Sequence, residues 1–418
     1  MTHHAPRTRP VEIATAQTLD ASALRARGSL KWTAFDADVA AWVAESDLGT
    51  ATTVRQALHD AVDGDLLGYL PPAVRQDMAQ ACQAWYSERY GWSVPASRIH
   101  PVADVLEALH LVVDHFSRPG TPLVVPTPAY MPFLTAPGAW GREVLQVPMT
   151  SGDERPGLDL PAIDAALAGG AHLVVLTNPH NPTGRVFDRA ELVALSGVVA
   201  ARDGRVFSDE IHAPLVLPGA RHVPYASVTP EAAQHTVTAT SASKAWNIPG
   251  LKCAQVLLSN DDDAATWEPL DVLATHGAST LGVLANAAAY RTGGPWLDEL
   301  LAYLDGNRHT FAEVLATQAP RVRLRLPEGT YLAWLDLRDA LPDGPHGPGE
   351  PGVAAWLLEH AGVGVVDGTA CGDVGRGFVR VNLAMPRPLV VEAGRRIADC
   401  LAGDLPGRVD RPAGGPTG

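Results

Sequence analysis

The sequence predicts an α/β protein: a largely parallel sheet covered by helices, then a smaller α+β domain. Two observations carry that expectation. Short apolar or Thr-containing runs, bounded by Pro, Gly, Asn or Asp, alternate with longer helical patterns through the middle of the chain. After about Asn286 the order changes to a long helical region, two separated strand patterns and a last helix. With 418 residues, 46% of them apolar, the chain has material for more than one domain-sized core.

In chain order, residues 53–63, 105–116, 160–168 and 188–201 carry helical patterns. Asp188 is placed as the N-cap of the last, with Glu191 three residues on completing a capping box. Residues 123–125, 172–177, 205–208, 237–240 and 255–259 read as buried strands. Beyond them lie a helix over 297–316, strands near 331–337 and 377–383, and a helix near 390–401. The segment 339–352 is a Pro/Gly-rich loop. The expected division is an N-terminal segment 1–48 packed with the small domain, a large domain 49–285, a small domain 286–402 and a disordered tail 403–418.

Composition removes several classes. A formal net charge of −14 with no basic cluster argues against nucleic acid as a partner. No run approaches the ~20 apolar residues of a membrane helix, and no apolar stretch follows Arg7 and Arg9 as a secretory signal requires. The cysteines at 82, 253, 371 and 400 are far apart, which fits a reduced, cytoplasmic protein. His110 and His115 are five apart, off the i, i+4 spacing of two ligands on one helical face, so no metal is expected. Gly372-x-x-Gly375-x-Gly377 has the order of a dinucleotide loop reversed, and it precedes a strand instead of following one.

Three segments close successive predicted strands, where ligands of parallel sheets bind. They are Asn178-Pro179-His180-Asn181-Pro182-Thr183-Gly184, Ser208-Asp209-Glu210-Ile211-His212, and Ser241-Ala242-Ser243-Lys244 with Lys252 eight residues past Lys244. In combination and order they resemble the fold-type I, class I/II aminotransferase superfamily over nearly the whole chain. Four segments make the resemblance closest to the MalY/PatB-type cystathionine β-lyase group: Lys31-Trp32 with Trp42-Val43-Ala44; Asp209 to His212; Ser243-Lys244 with Asn247-Ile248 and Gly250-Leu251-Lys252; and Gly372 through Gly377-Phe378 to Arg380.

That resemblance implies a pyridoxal-5′-phosphate (PLP)-dependent transferase fold with a seven-stranded, mostly parallel sheet, and an amino-acid substrate. It makes Lys244 the Schiff-base lysine, Asp209 the partner of the pyridine nitrogen and Asn181 the donor to the phenolic oxygen, near the substrate. Tyr130 would stack on the ring. Ser241, Ser243 and Lys252 would bind phosphate, with backbone N–H groups at Val105 and Leu106. Arg380 would grip the substrate carboxylate, with Ala44 beside it. His212 stands where many relatives have a Tyr, and reads either as a contact to the phenolic oxygen or as a satisfied core histidine. Tyr69 reads either as reaching the phosphate of a second subunit in a homodimer or as core packing. Ser279 and Thr280 are weaker candidates for a contact of that kind.

Departures from the family pattern fall at the edges. Glu45-Ser46-Asp47 stands for Asp-Met-Asp, Asp104 for a glycine before the phosphate-side helix, Cys371 for an aromatic and Pro214 for an Asp. A carboxylate at 104 repels phosphate unless it points away. The implied reaction is β-elimination from cystathionine or a cysteine S-conjugate, giving thiol, pyruvate and ammonia. An aminotransferase uses the same first steps, and a non-catalytic regulatory relative is the third reading. Against the third stands the lack of a basic helix-turn-helix before Lys31.

Overall fold

The computed structural model describes residue 13 and residues 18–150, 155–341 and 352–403. The predicted tail beyond Gly403 and most of the 339–352 loop lie outside the described residues. The N-terminal segment contributes a short strand, β1 (Val39–Ala40). A central sheet follows: β2 (Ile99–Val102), β3 (Leu123–Thr127), β4 (Val144–Pro148), β5 (Leu173–Thr177), β6 (Arg205–Asp209), β7 (Thr236–Thr240) and β8 (Ala254–Leu258). Its spatial order is β2-β8-β7-β6-β5-β3-β4, with β8 antiparallel to both neighbours and the other pairs parallel. The five predicted strands are all present, shifted by at most two residues. β2 and β4 were not legible: β2 carries His100 and Pro101, and β4 is an edge strand whose side chains are mostly outside the core.

β3, β5, β6, β7 and β8 are buried on both faces, apart from Arg205 at the start of β6. Helices therefore cover both sides of the sheet. Leu109, Val112 and Leu258 belong to the core on one side, Leu192, Leu195 and Val199 to that on the other. Burying each such side chain contributes roughly 1.5–3 kcal/mol. The Asp188–Glu191 capping box is present in full at the helix Arg189–Ala201. The long helices Pro72–Tyr90 and Thr280–Thr292 pack against each other. The expected boundary at 285/286 falls inside the second of them. Ala285, Ala287, Ala289 and Tyr290 all join the hydrophobic core that also holds Met78 and Trp85.

The C-terminal part holds β9 (Arg323–Leu324), β10 (Leu332–Asp336), β11 (Val363–Gly364), β12 (Val366–Asp367) and β13 (Phe378–Asn382). An antiparallel sheet runs β12-β13-β10-β9, and β11 pairs in parallel with β1. That pairing carries the N-terminal segment onto the small domain, while Ala44 and Leu48 enter the large-domain core. The segment 42–48 thus lies at the seam. Among the described residues no helix is long and apolar enough to cross a membrane.

Candidate active site

The carboxyl ends of β5, β6 and β7 deliver the first three groups. Asp209 is the last residue of β6 and is buried. Its Oδ1 accepts from the Ile211 backbone N–H at 3.1 Å. Burial pushes its pKa up to about 7, against the Ile211 hydrogen bond and the positive charge of Lys244. A buried acid with one backbone donor calls for a further cationic or N–H partner. Lys244 follows β7 in a tight turn, and its Nζ donates to the Ala44 carbonyl at 3.1 Å. Burial first, then the Arg380 cation, lowers its pKa to about 8; Glu45 and Asp209 pull the other way.

Arg380 enters from the small domain, in the middle of β13 opposite Trp334. It is 2% exposed, and among the described residues it forms no ion pair. Its Nη1 donates to Asn181 Oδ1 at 2.9 Å and its Nη2 to the Trp42 carbonyl at 3.0 Å, while Nε has no partner. Burial lowers its pKa from the usual value. A guanidinium buried without a carboxylate is costly unless an anion joins it, and its planar fork matches a carboxylate. The Arg380 contact also fixes the Asn181 amide, leaving Nδ2 as a donor.

The chain from Trp42 to Asp47 is pinned from several sides. Asn382 Nδ2 donates to the Val43 and Glu45 carbonyls at 2.6 and 2.7 Å. Asn247 exchanges two hydrogen bonds with the Ser46 backbone, both 2.8 Å. Lys31 pairs with Asp47 at 2.7 Å in the interior, and Trp32 Nε1 donates to the same carboxylate at 2.8 Å. These contacts hold the Ala44 carbonyl where Lys244 meets it.

His212 is buried, yet its Nδ1 has no partner, so it is not a satisfied core histidine. Burial, then the Lys244 and Arg380 charges, lowers its pKa to about 3 and keeps it neutral. Tyr130 precedes the helix Met131–Ala139; burial raises its hydroxyl pKa, and the charges of Asp209, Arg380 and Asp104 all reach it. Sequence reasoning missed Tyr331, read only as the start of a strand. Its hydroxyl donates to the same Ala44 carbonyl at 3.0 Å, and its ring meets His212 edge-on at 6.2 Å. It missed Glu210 as well, which sat unassigned in the segment ending at His212. This buried carboxylate accepts from Ser208 Oγ, Tyr86 Oη and the Tyr225 N–H at 3.0, 3.2 and 3.0 Å, and shares a hydrogen with His222 at 3.1 Å, bracing the residue next to Asp209. Neither signal exists in one sequence, because each depends on distant segments meeting.

At the other end, Asp104 is the N-cap of the helix Val105–His115, accepting from the Glu107 N–H at 2.9 Å. Its Oδ2 is 2.9 Å from Lys252 Nζ. Burial tends to raise its pKa, but Lys252 and the Glu107 and Leu106 amides win and hold it low. The Ser241 hydroxyl donates to the Cys253 carbonyl at 2.7 Å and accepts from the Ser243 N–H at 2.9 Å, so its proton is committed to the turn. Tyr69 is 90% exposed, not core. Ser279 caps its helix, and Thr280 Oγ1 donates to the Gly68 carbonyl at 2.9 Å. The Cys371 thiol is buried and pushed up to about 11, hence uncharged. Pro214 lies in a short 3₁₀ turn after His212.

An amine, a buried acid lacking a strong donor, an orphaned imidazole nitrogen and an unpaired guanidinium fit pyridoxal phosphate with an amino-acid substrate. Comparison with known proteins points the same way. The family model for aminotransferase class I and II matches residues 43–397. Cystathionine beta-lyase of Corynebacterium glutamicum is 37% identical, over 90% of this chain and 98% of its own. Cystathionine beta-lyase PatB of Bacillus subtilis is 32% identical, over 86% and 92%. The PLP-bound C-S lyase from Staphylococcus hominis superposes with a TM-score of 0.83 at 26% identity, over 90% of this chain and 97% of that one.

Proposed function

The chain belongs to the class I and II aminotransferase family, and from that membership we propose that it is a PLP-dependent C–S β-lyase. It takes cystathionine or a cysteine S-conjugate with water and releases a thiol, pyruvate and ammonia. The observation that carries the reading is the buried Arg380, without an ion pair among the described residues, beside the shielded Lys244 amine and the Asp209 carboxyl. The similarity to cystathionine β-lyases at 32–38% identity favours elimination over transamination.

Lys244 would hold the cofactor covalently, with Asp209 at the pyridine nitrogen and Asn181 Nδ2 and His212 at the phenolic oxygen. Tyr130 would lie on the ring, and Ser243, Lys252 and the N–H groups at Val105 and Leu106 near the phosphate. Ser241 supports that end by locking the turn. When bound, the cofactor supplies an electron sink for the carbanion at the substrate Cα. Arg380 binds the α-carboxylate and so orients the Cα–H bond. Once the substrate's amino group displaces it from the cofactor, the Lys244 amine, whose pKa of about 8 keeps a useful neutral fraction near pH 7, would take that proton. Asp209 would retain the proton on the ring nitrogen. The proton acquired by Lys244 is then available to the departing sulfur.

A second copy completes the assembly in this reading. Tyr69, with Leu67, Val272 and Leu273, exposes large apolar side chains on one chain, which suits a homodimer in which Tyr69 reaches the other subunit's phosphate. The four cysteines are free and buried, in keeping with the cytoplasm. Incubating the protein with cystathionine or an S-alkyl cysteine, without a keto acid, is expected to yield pyruvate and free thiol. Turnover that requires an added keto acid makes it an aminotransferase instead.

A further inference from the structure

We propose that Asp104 is a tethered anion in the phosphate cup, competing with the cofactor phosphate for Lys252. The cup then holds a phosphate more weakly than the same cup with a neutral residue at 104. Asp104 Oδ2 sits 2.9 Å from Lys252 Nζ, the one side-chain cation expected to meet the phosphate. Its Oδ1 takes the Glu107 N–H at 2.9 Å. The Lys252 backbone is fixed in the left-handed region, φ 48°, and its carbonyl accepts from the Ser279 N–H at 2.9 Å. That fixes the backbone from which the Lys252 side chain reaches Asp104. With the Ser241 proton given to the Cys253 carbonyl, an arriving phosphate finds fewer free donors and a like charge beside its best one. The negative charge of Asp104 is also felt at Tyr130, the residue expected over the ring, which places it close to the cofactor volume.

The carboxylate's charge is not needed for its structural task. Asn caps a helix about as well as Asp. Asp104→Asn thus removes the charge and keeps the cap, and Asp104→Ser does the same with a smaller side chain. The experiment measures dissociation constants of the cofactor-free protein for PLP, for pyridoxal, which lacks the phosphate, and for inorganic phosphate. Asp104→Asn is expected to tighten PLP and inorganic phosphate a few-fold, corresponding to at most about 1 kcal/mol, with pyridoxal unchanged. In a Lys252→Met background the gain shrinks, because the competition runs through that cation. Unchanged or weaker PLP and phosphate binding in both the Asn and Ser variants overturns the proposal. So does an equal gain for pyridoxal, which would mark a general effect on the site. The PLP arm rests on the functional reading above. If neither form bound PLP, that reading would fall, and the inorganic-phosphate arm would still decide the role of Asp104.

Discussion

Around the reacting groups, charge is held away from water: Asp209 and Arg380 are buried, and Lys244 is largely shielded. At the phosphate end, Lys252 and Asp104 keep 60% and 43% of their side chains exposed. The two ends consequently respond to substitution on different scales. In the interior a missing partner leaves an uncompensated charge, and solvent cannot repair it. At the exposed end water and salt screen the pair, and exposed ion pairs are typically worth 0–1 kcal/mol. The pKa values follow the same division. Burial moves Lys244 down to about 8 and Asp209 up to about 7, bringing an amine and an acid toward neutrality, whereas Asp104 is simply held low by its partners.

The largest effect should come from Lys244→Ala. Removing the amine eliminates both the covalent anchor and the base, and turnover is expected to fall about 10⁴-fold, the upper range for one acid–base group. The direct check is borohydride reduction followed by peptide mapping, which should fix the cofactor to Lys244 in the native protein and to no residue in the variant. Cofactor fixed elsewhere would reassign the centre of the site.

Arg380→Lys comes next. Lysine keeps the charge but loses the planar fork, so the hydrogen bonds to Asn181 and the Trp42 carbonyl cannot both persist. KM for the amino acid is expected to rise about 100-fold, within the roughly 2–5 kcal/mol that a buried hydrogen-bonded charge commands. Lys252→Met, by contrast, is expected to weaken PLP binding only a few-fold. Steady-state kinetics and cofactor titration give the two numbers. Comparable losses in the two variants would abolish the contrast between the ends.

How much of this was legible in the chain depends on how local each feature is. The strands β3, β5, β6, β7 and β8 were readable because they are short apolar runs with polar or Gly/Pro boundaries, and Asp188–Glu191 because a capping box is a four-residue pattern. β2 and β4 escaped, since a Pro-containing strand and an edge strand lack that signature. Lys244, Asp209, Asn181 and Arg380 were singled out as candidates through motif order. The contacts that place them, Tyr331 and Lys244 on one Ala44 carbonyl, join positions up to 287 residues apart and leave no local trace. Asp104 was legible as an anomaly, but its pairing with Lys252, 148 residues away, was not.

The smallest effect tests the electrostatics of the reacting end alone. Capture of pyridoxal by the cofactor-free protein requires the neutral Lys244 amine, so its rate should rise with pH and level off above about 8. Two neighbours shift that limb in opposite directions. The Arg380 cation disfavours a second positive charge and lowers the lysine pKa, so Arg380→Gln should move the limb to higher pH. The Glu45 carboxylate favours the ammonium, so Glu45→Gln should move it to lower pH. Lys252→Met, at the screened end, should leave it in place. Opposite shifts in the first two variants and none in the third would confirm that the amine is tuned by the interior charges. A limb that follows Lys252 would mean that the two ends are electrically one site.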